Sequence, residues 1–132
     1  YPVFGATTTL TEVKLPSHLK AIHSFAFAEA NALTTLTFHE DTAAIEIKMA
    51  AFERAKGITE LHLPAVKELG TSAFYCCRAL TNITLSNSLT SIQPTTFYGC
   101  SLLNNVVLPT FGFPISKILG IVYLNFFCQI AS

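Results

Sequence analysis

"TNITLSNSLTSIQPTTFYGC", residues 81–100, ends in a motif that a shorter segment, "TSAFYCC" at residues 71–77, carries in similar form. Each segment places a Phe-Tyr pair after small or hydroxylated residues and just before a cysteine. Phe74 and Phe97 are 23 residues apart. This recurrence predicts that the two segments fill equivalent corners of successive structural repeats, with Phe97 above Phe74.

The same phenylalanine recurs through the whole chain. Phe4, Phe27, Phe52, Phe74, Phe97 and Phe126 are separated by 23, 25, 22, 23 and 29 residues. Six residues after each of the first five begins an apolar-x-x-apolar-x-apolar triplet. The triplets are Leu10/Val13/Leu15, Leu33/Leu36/Phe38, Ile58/Leu61/Leu63, Leu80/Ile83/Leu85 and Leu103/Val106/Leu108. A fixed period in the low twenties indicates a repeat protein.

A second pair of apolar columns precedes each phenylalanine by eight and five residues. These pairs are Leu19/Ile22, Ala44/Ile47, Val66/Leu69, Leu89/Ile92 and Ile118/Ile121. The length variation between repeats falls between triplet and pair, where the step is 4, 6, 3, 4 and 10 residues. A surface loop tolerates such growth, so this stretch is predicted to be a solvent corner.

The polarity of each repeat predicts its local structure. The triplet alternates like a strand from its second apolar residue, and its polar positions are rich in threonine, which suits a pleated surface. Strands one coil apart must then run parallel, about 4.8 Å from one another. The phenylalanine corner is too short for a regular helix and is predicted to be a tight turn or one turn of 3₁₀ or α-helix.

Three segments of the chain resemble a known family of repeats. They are "LTEVKLPSHLKAIHSFAF", "ITELHLPAVKELGTSAFYCC" and "LTNITLSNSLTSIQPTTFYGC". The LxxLxL pattern resembles leucine-rich repeats. The proline after the triplet, the LxxIxxxxF spacing and the final cysteine resemble the BspA-like leucine-rich repeats of bacterial and protozoan surface proteins. The resemblance covers roughly Val3 to Pro109 and implies a right-handed solenoid with a parallel sheet on one face and turns or short 3₁₀ or α segments on the other.

One leucine-rich-repeat domain is predicted over residues 1–132. It comprises a partial repeat at 1–9 and about five coils, at 10–32, 33–57, 58–79, 80–102 and 103–132. The last coil departs from the pattern and is expected to be a divergent end or a cap, with a dimer face as an alternative. Because a solenoid needs polar caps to stay soluble, the chain is expected to be a fragment of a longer array or to pair end to end with another copy.

Composition excludes several classes of function. The chain is 51% hydrophobic and 12% charged, with eight acidic and eight basic residues, so a nucleic-acid partner is not expected. The first residue is Tyr1, and no secretory signal follows it. The longest apolar run, at residues 118–132, contains Asn125 and Gln129 and is too short to span a bilayer as a helix. A membrane anchor is not expected within this chain.

The residues that could carry chemistry form no known catalytic or metal motif. His18, His23, His39 and His62 fall in four different repeat columns, and no G-x-S-x-G motif is present. No enzymatic activity, cofactor, metal or small-molecule substrate is therefore expected. Cys77 and Cys100 share a column, so a disulfide is an alternative, but two small core side chains are the favoured interpretation. Cys76 is expected to reach solvent more readily.

The outward face of the stacked strands is the best candidate for a binding surface. Repeat proteins of this kind bind partners on such extended surfaces. The candidate residues are Glu12, Lys14, Thr35, Thr37, Glu60, His62, Asn82, Thr84, Asn105 and Val107. A plain solvated threonine ladder is the alternative. By resemblance, the expected role is adhesion or protein binding at a microbial cell surface, secreted or exposed, with host extracellular-matrix or cell-surface proteins as partners. An intracellular scaffold and a structural spacer remain alternatives.

Overall fold

The computed structural model describes residues 9–85, 89, 92–93 and 95–107, with residues 106 and 107 described by their backbone alone. Within these residues the chain forms short strands joined by turns, and every strand pairing is parallel. The strands are β1 (Glu12–Lys14), β2 (Ala21–Ile22), β3 (Thr35–Thr37), β4 (Ile45–Ile47), β5 (Glu60–His62), β6 (Val66–Leu69), β7 (Asn82–Thr84) and β8 (Asn105–Val107).

The triplet strands pair in the register that the repeat predicts. In β1 and β3, Glu12 lies opposite Thr35. In β5, β7 and β8, Glu60, Asn82 and Asn105 form one row across three strands. The central residue of each strand points inward, so Leu36 of β3 and Leu61 of β5 are buried while their polar neighbours are exposed. The predicted strand columns are thereby confirmed for these coils.

The predicted single sheet is wrong in one respect, because the second apolar pair also forms strands. β2, β4 and β6 make a second parallel sheet, in the order β2-β4-β6. Ile22, Ile47 and Leu69 form one buried row of it. β6 contains an extra residue that shifts its register against β4. The alternation that identifies a strand in a sequence is confined to the three residues of β4 and is absent from β2 and β6.

Of the two structures predicted for the phenylalanine corner, a tight turn or one turn of helix, the described residues contain turns and no helix. In the first corner, the N–H groups of Ala26, Ala28 and Ala30 donate to carbonyls three residues earlier. The N–H group of Phe27, between them, donates to Ala51 of the next coil at 2.8 Å. Because alternate N–H groups face the neighbouring coil, they cannot also close a helical turn.

Left-handed residues make this alternation geometrically feasible. The second residue before and the second residue after the phenylalanine have positive φ, as in Ala50 (56°) and Arg54 (58°). Such residues allow type II turns, in which the third residue is left-handed. Gly99 occupies the same position after Phe97, with φ of 78°. Outside glycine this conformation is strained, so the inter-coil hydrogen bonds must hold it in place.

The phenylalanines stack in single file, as predicted for Phe27, Phe52, Phe74 and Phe97. Successive ring centroids are 5.3, 5.2 and 5.5 Å apart, and the rings are within 8° of parallel. All four side chains are buried within one hydrophobic core that runs through the described coils. Phe4 and Phe126 lie outside the described residues.

The triplet sheet has a seam between its second and third coils. β1 pairs with β3, and β5 pairs with β7 and β8, but β3 and β5 lie side by side without forming a ladder. The third apolar position of the triplet is Phe38 in the second coil and leucine in the other described coils, at Leu15, Leu63 and Leu85. The larger ring is only half-buried. We attribute the seam to its extra bulk beside the strand end.

Candidate protein-binding face

The outward residues of the triplet strands fall into two patches on either side of the seam. Glu12, Lys14, Thr35 and Thr37, on β1 and β3, form the first patch, and all four are exposed. The second patch lies on β5, β7 and β8. It consists of Glu60, His62, Asn82, Thr84, Asn105 and Val107. The predicted face is therefore two adjoining surfaces, and the backbone of Val107 is in the predicted row while its side chain lies outside the described atoms.

Side chains of the second patch are hydrogen-bonded to one another across the strands. Asn82 Nδ2 donates to Glu60 Oε1 at 3.4 Å and to Thr81 Oγ1 at 3.1 Å. His62 Nδ1 is 3.0 Å from Thr84 Oγ1. Asn82 and Thr84 are half-buried, whereas Glu60 and His62 are exposed. These contacts restrict the conformations of the side chains that make them.

A threonine beside each patch is fixed to the backbone of the preceding coil. Thr34 Oγ1 donates to the Thr11 carbonyl at 3.2 Å, and Thr81 Oγ1 donates to the Thr59 carbonyl at 3.0 Å. Lys14 and Thr37 border a depression of about 390 Å³ at the carboxyl ends of β1 and β3. Leu15, Phe38, His39 and Glu40 complete its lining.

The long corner loop of the second coil lies beside the first patch. His39 Nδ1 accepts a hydrogen bond from the Asp41 N–H group at 3.1 Å, so the loop contains a local side-chain turn. On its other side lies a groove of about 450 Å³. The segment from Phe38 to Ala44, where the spacing between the apolar triplet and the second apolar pair is six residues, separates the two depressions. Loop insertions in repeat proteins commonly lie on the binding side.

Cys77 and Cys100 are free thiols that anchor each coil to the one before it. The Cys77 thiol donates to the Phe52 carbonyl and the Cys100 thiol to the Phe74 carbonyl, both at 3.0 Å. Both side chains are buried. Hydrogen bonding to the Cys100 side chain, together with burial, raises the pKa of the Cys77 thiol well above its ordinary value. The favoured interpretation of two core side chains is confirmed.

Cys76 is more exposed than Cys77 and Cys100, as expected, but at 7% its side chain is still buried. Gly99, which follows it one coil later, has no Cβ to displace the sulfur. A Cβ on Gly99 would lie 2.7 Å from Cys76 Sγ. Arg78 Nη2, at 4.0 Å, covers the sulfur from the solvent side. Cys128 lies outside the described residues.

The histidines remain separated in space. His18, His23, His39 and His62 are all exposed. In the part of the chain that the structure describes, no three histidine, cysteine, aspartate or glutamate side chains come together as a metal site would require. Over the same residues, no helix combines the length and apolarity that a membrane crossing demands.

Sequence comparison identifies the repeat. The profile described as "BspA type Leucine rich repeat region (6 copies)" matches residues 42–120, more than half of the chain. The chain belongs to this family. No curated protein matches it. The spacings of phenylalanine, leucine and cysteine resemble BspA-type leucine-rich repeats, and this match confirms that resemblance.

Two solved structures resemble the BspA-type chain. A leucine-rich repeat protein of T. pallidum aligns with a TM-score of 0.52 and 20% identity, over 92% of this chain and 73% of that one. A leucine rich cell surface protein from Faecalibacterium prausnitzii A2-165 aligns with a TM-score of 0.35 and 14% identity, over 90% and 64%. The first of these shows a shared leucine-rich-repeat fold.

One surface feature of the BspA-type corner was not predicted. Tyr75 and Tyr98 follow the phenylalanines of the third and fourth coils, and their ring centroids stack 5.4 Å apart. Arg54 lies over the Tyr75 ring, with Cζ 5.8 Å from its centroid. The signal was present in the sequence, because "AFYCC" and "TFYGC" place the two tyrosines in one column.

Proposed function

We propose that this chain is a non-catalytic protein-binding module, which binds partners through the outward face of its triplet strands. The observation that carries the proposal is the cross-strand hydrogen bonding of Glu60, His62, Asn82 and Thr84. Packing does not require these side chains, because the buried positions of β5 and β7 are Leu61 and Ile83. Their mutual order is what a preorganised binding surface needs.

The chemistry of the face indicates the kind of recognition. Its second patch combines amide, hydroxyl, imidazole and carboxylate groups with no lysine or arginine among its named residues. Neutral hydrogen bonds and shape would therefore dominate binding, and the affinity would depend weakly on salt. The centre of the site lies on β5 and β7, where the side-chain contacts are concentrated.

Membership of the BspA-type family supports a location at a microbial cell surface or in the secreted fraction. In that setting the partner is a host extracellular-matrix or cell-surface protein, and the module acts in adhesion. We also propose that the coils of the solenoid wind in the right-handed sense, as the resemblance to this family implies.

The test is direct binding of the purified chain to immobilised fibronectin, laminin and collagen, measured by surface plasmon resonance. The double variant Glu60→Ala/His62→Ala should weaken binding to any of them about tenfold, as expected for the loss of about 1.4 kcal/mol of binding free energy. The matched control is Lys67→Ala/Glu68→Ala, which removes two exposed charged residues from β6 of the other sheet. Circular dichroism should show the same fold in all three proteins.

Two outcomes would count against the proposal. If the β5 variant and the β6 control bind equally well, the triplet face is not the site. If the unaltered chain binds none of the matrix proteins, the result favours the alternative that the chain is a structural spacer, because a spacer needs a regular solenoid but no partner on this face.

A further inference from the structure

A second surface, remote from the triplet strands, carries residues typical of binding hot spots. It lies at the phenylalanine corner of the second to fourth coils and consists of Arg54, Tyr75, Arg78 and Tyr98, here called the tyrosine–arginine platform. Tyrosine and arginine are enriched among the residues that dominate binding energy at protein interfaces. Both arginines are exposed and both tyrosines are partly exposed.

The platform is held rigid from below. The backbone N–H group of Arg54 donates to the Tyr75 carbonyl at 2.7 Å, and the backbone N–H group of Cys76 donates to the Tyr98 carbonyl at the same distance. The two tyrosine rings are stacked with an interplanar angle of 13°. Stacked rings on a hydrogen-bonded corner lose little conformational entropy when a partner binds.

The arginines supply the chemistry of recognition. Arg54 Cζ lies 5.8 Å from the centroid of the Tyr75 ring, within the range of a cation–π contact. A guanidinium held in this way offers a two-pronged donor that matches a carboxylate. Neither Arg54 nor Arg78 forms an ion pair with a carboxylate of the described residues, although Glu29 and Glu53 belong to the same corner.

We propose that the tyrosine–arginine platform is a second binding site, which takes a carboxylate-bearing segment of a partner protein. The carboxylates bind the arginine N–H groups, and the backbone of the segment packs on the tyrosine ring edges. An isolated exposed ion pair contributes little to affinity, so the stack that fixes Arg54 is essential to the site. The site is independent of the triplet face.

The experiment uses the whole chain and a capped glutamate-rich peptide, with the same peptide carrying glutamine instead of glutamate as the ligand control. The chain has no tryptophan, and two of its four tyrosines belong to the platform, so tyrosine emission includes a contribution from the platform. The glutamate peptide should change this emission and bind in a salt-dependent manner. The glutamine peptide should not bind.

Three variants locate the site. Arg54→Lys keeps the charge but removes the planar fork, and we expect it to weaken binding about tenfold; Tyr75→Ala should do the same by removing the stacking surface. Lys56→Gln is the matched control, since Lys56 is an exposed cation of the same corner outside the stack, and it should bind nearly as well as the unaltered chain. Glu60→Ala on the triplet face should also leave peptide binding unchanged, so the two proposed sites can fail separately.

Several results would overturn the proposal. These are equal binding of the two peptides, undiminished binding by Arg54→Lys, or a loss in Lys56→Gln as large as that in Arg54→Lys. A heparin fragment tested in parallel distinguishes a general anion surface, because tighter binding of the fragment than of the peptide would mean that the platform recognises sulfated glycans instead of a protein segment. Arg54→Lys changes an exposed side chain, so its result does not depend on the stability of Tyr75→Ala.

Discussion

The rings of Phe52 and Phe74 lie 5.2 Å apart and within 8° of parallel. Their residues are in successive coils, and the backbone repeats the relationship, since the Phe52 N–H group donates to the Ala73 carbonyl at 2.8 Å. Side-chain stacking and inter-coil hydrogen bonding therefore hold the same corner. Each coil is locked to the next at the position where the sequence repeat is strictest.

Replacing a central ring tests this relationship. Phe74→Ala should lower the free energy of unfolding by about 3 to 5 kcal/mol, because coils on both sides prevent the cavity from collapsing. Urea denaturation followed by circular dichroism measures the loss. Phe25→Ala is the matched control, since the half-buried Phe25 lies outside the core cluster. A loss below about 1 kcal/mol for Phe74→Ala would contradict the stacked arrangement.

Thr96 is the one buried polar residue of the described core, and its hydroxyl has no hydrogen-bond partner. The equivalent positions in the other described corners are Ala26, Ala51 and Ala73. Thr96→Val keeps the shape and removes the unpaired hydroxyl, so the free energy of unfolding should rise by about 1 kcal/mol. The exposed neighbour gives the control, Thr95→Val, which should be near neutral. Destabilisation by Thr96→Val would show that the hydroxyl does have a partner.

Gly99 and Cys76 should be energetically coupled. Gly99→Ala places a side chain on a residue with φ of 78° and brings a Cβ within 2.7 Å of Cys76 Sγ. The backbone strain alone should lower the free energy of unfolding by about 1 to 2 kcal/mol, and the steric conflict should add to it. A Cys76→Ala background removes the conflict with the sulfur and leaves the strain and the 3.3 Å approach to the Cα of residue 76, so the loss should be smaller. Equal losses in the two backgrounds, measured by a double-mutant cycle, would exclude the contact.

Much of this structure could be predicted from sequence. The phenylalanine file and the strand columns follow from spacings that repeat, and Phe27 to Phe97 stand where those spacings put them. The second sheet could not be predicted, since Ile22 and Ile47 belong to segments too short to show sustained alternation. A tight turn at the corner was predicted as an alternative to one turn of helix, but the particular turns were not. They depend on left-handed residues such as Glu29 and Arg54, whose types do not favour that conformation.

The candidate face illustrates the same limit. Periodicity aligned Glu60 with Asn82 and His62 with Thr84, and the strand register confirms both pairs. It did not reveal the seam, which depends on how one ring, Phe38, packs against its neighbours. Periodicity detects what the coils share, such as the column of Tyr75 and Tyr98, whereas the seam arises where one coil differs from the next.

The stability of the protein should fall at alkaline pH. The folded state raises the pKa of the Cys77 thiol, so folding favours the protonated form. The stability that this provides is complete below the unfolded thiol pKa of about 8.5 and is lost as the pH rises toward the folded value. Urea midpoints between neutral pH and about pH 10 should therefore decline less in Cys77→Ala than in the unaltered chain. Parallel declines in the two proteins would assign the effect to other groups.

The seam between β3 and β5 makes a prediction about a single amide. Where two triplet strands pair, the residue before the later strand donates its backbone N–H group to the preceding coil. Thr34 donates to the Thr11 carbonyl at 2.9 Å, and Thr81 donates to the Thr59 carbonyl at 2.8 Å. Thr59 lacks the equivalent bond to Thr34. Its amide hydrogen should exchange with solvent about fivefold faster than that of Thr81, since one hydrogen bond contributes about 1 kcal/mol.

Hydrogen exchange followed by NMR measures this difference and also tests its cause. If the bulk of Phe38 holds the strands apart, Phe38→Leu should allow the ladder to close and slow exchange at Thr59 toward the rate at Thr81. Phe25→Leu makes the same substitution outside the core and should leave the Thr59 amide unchanged. Slow exchange at Thr59 in the unaltered protein would exclude the seam. Fast exchange that persists in Phe38→Leu would mean that the greater length of the long corner loop, and not the phenylalanine ring, separates β3 from β5.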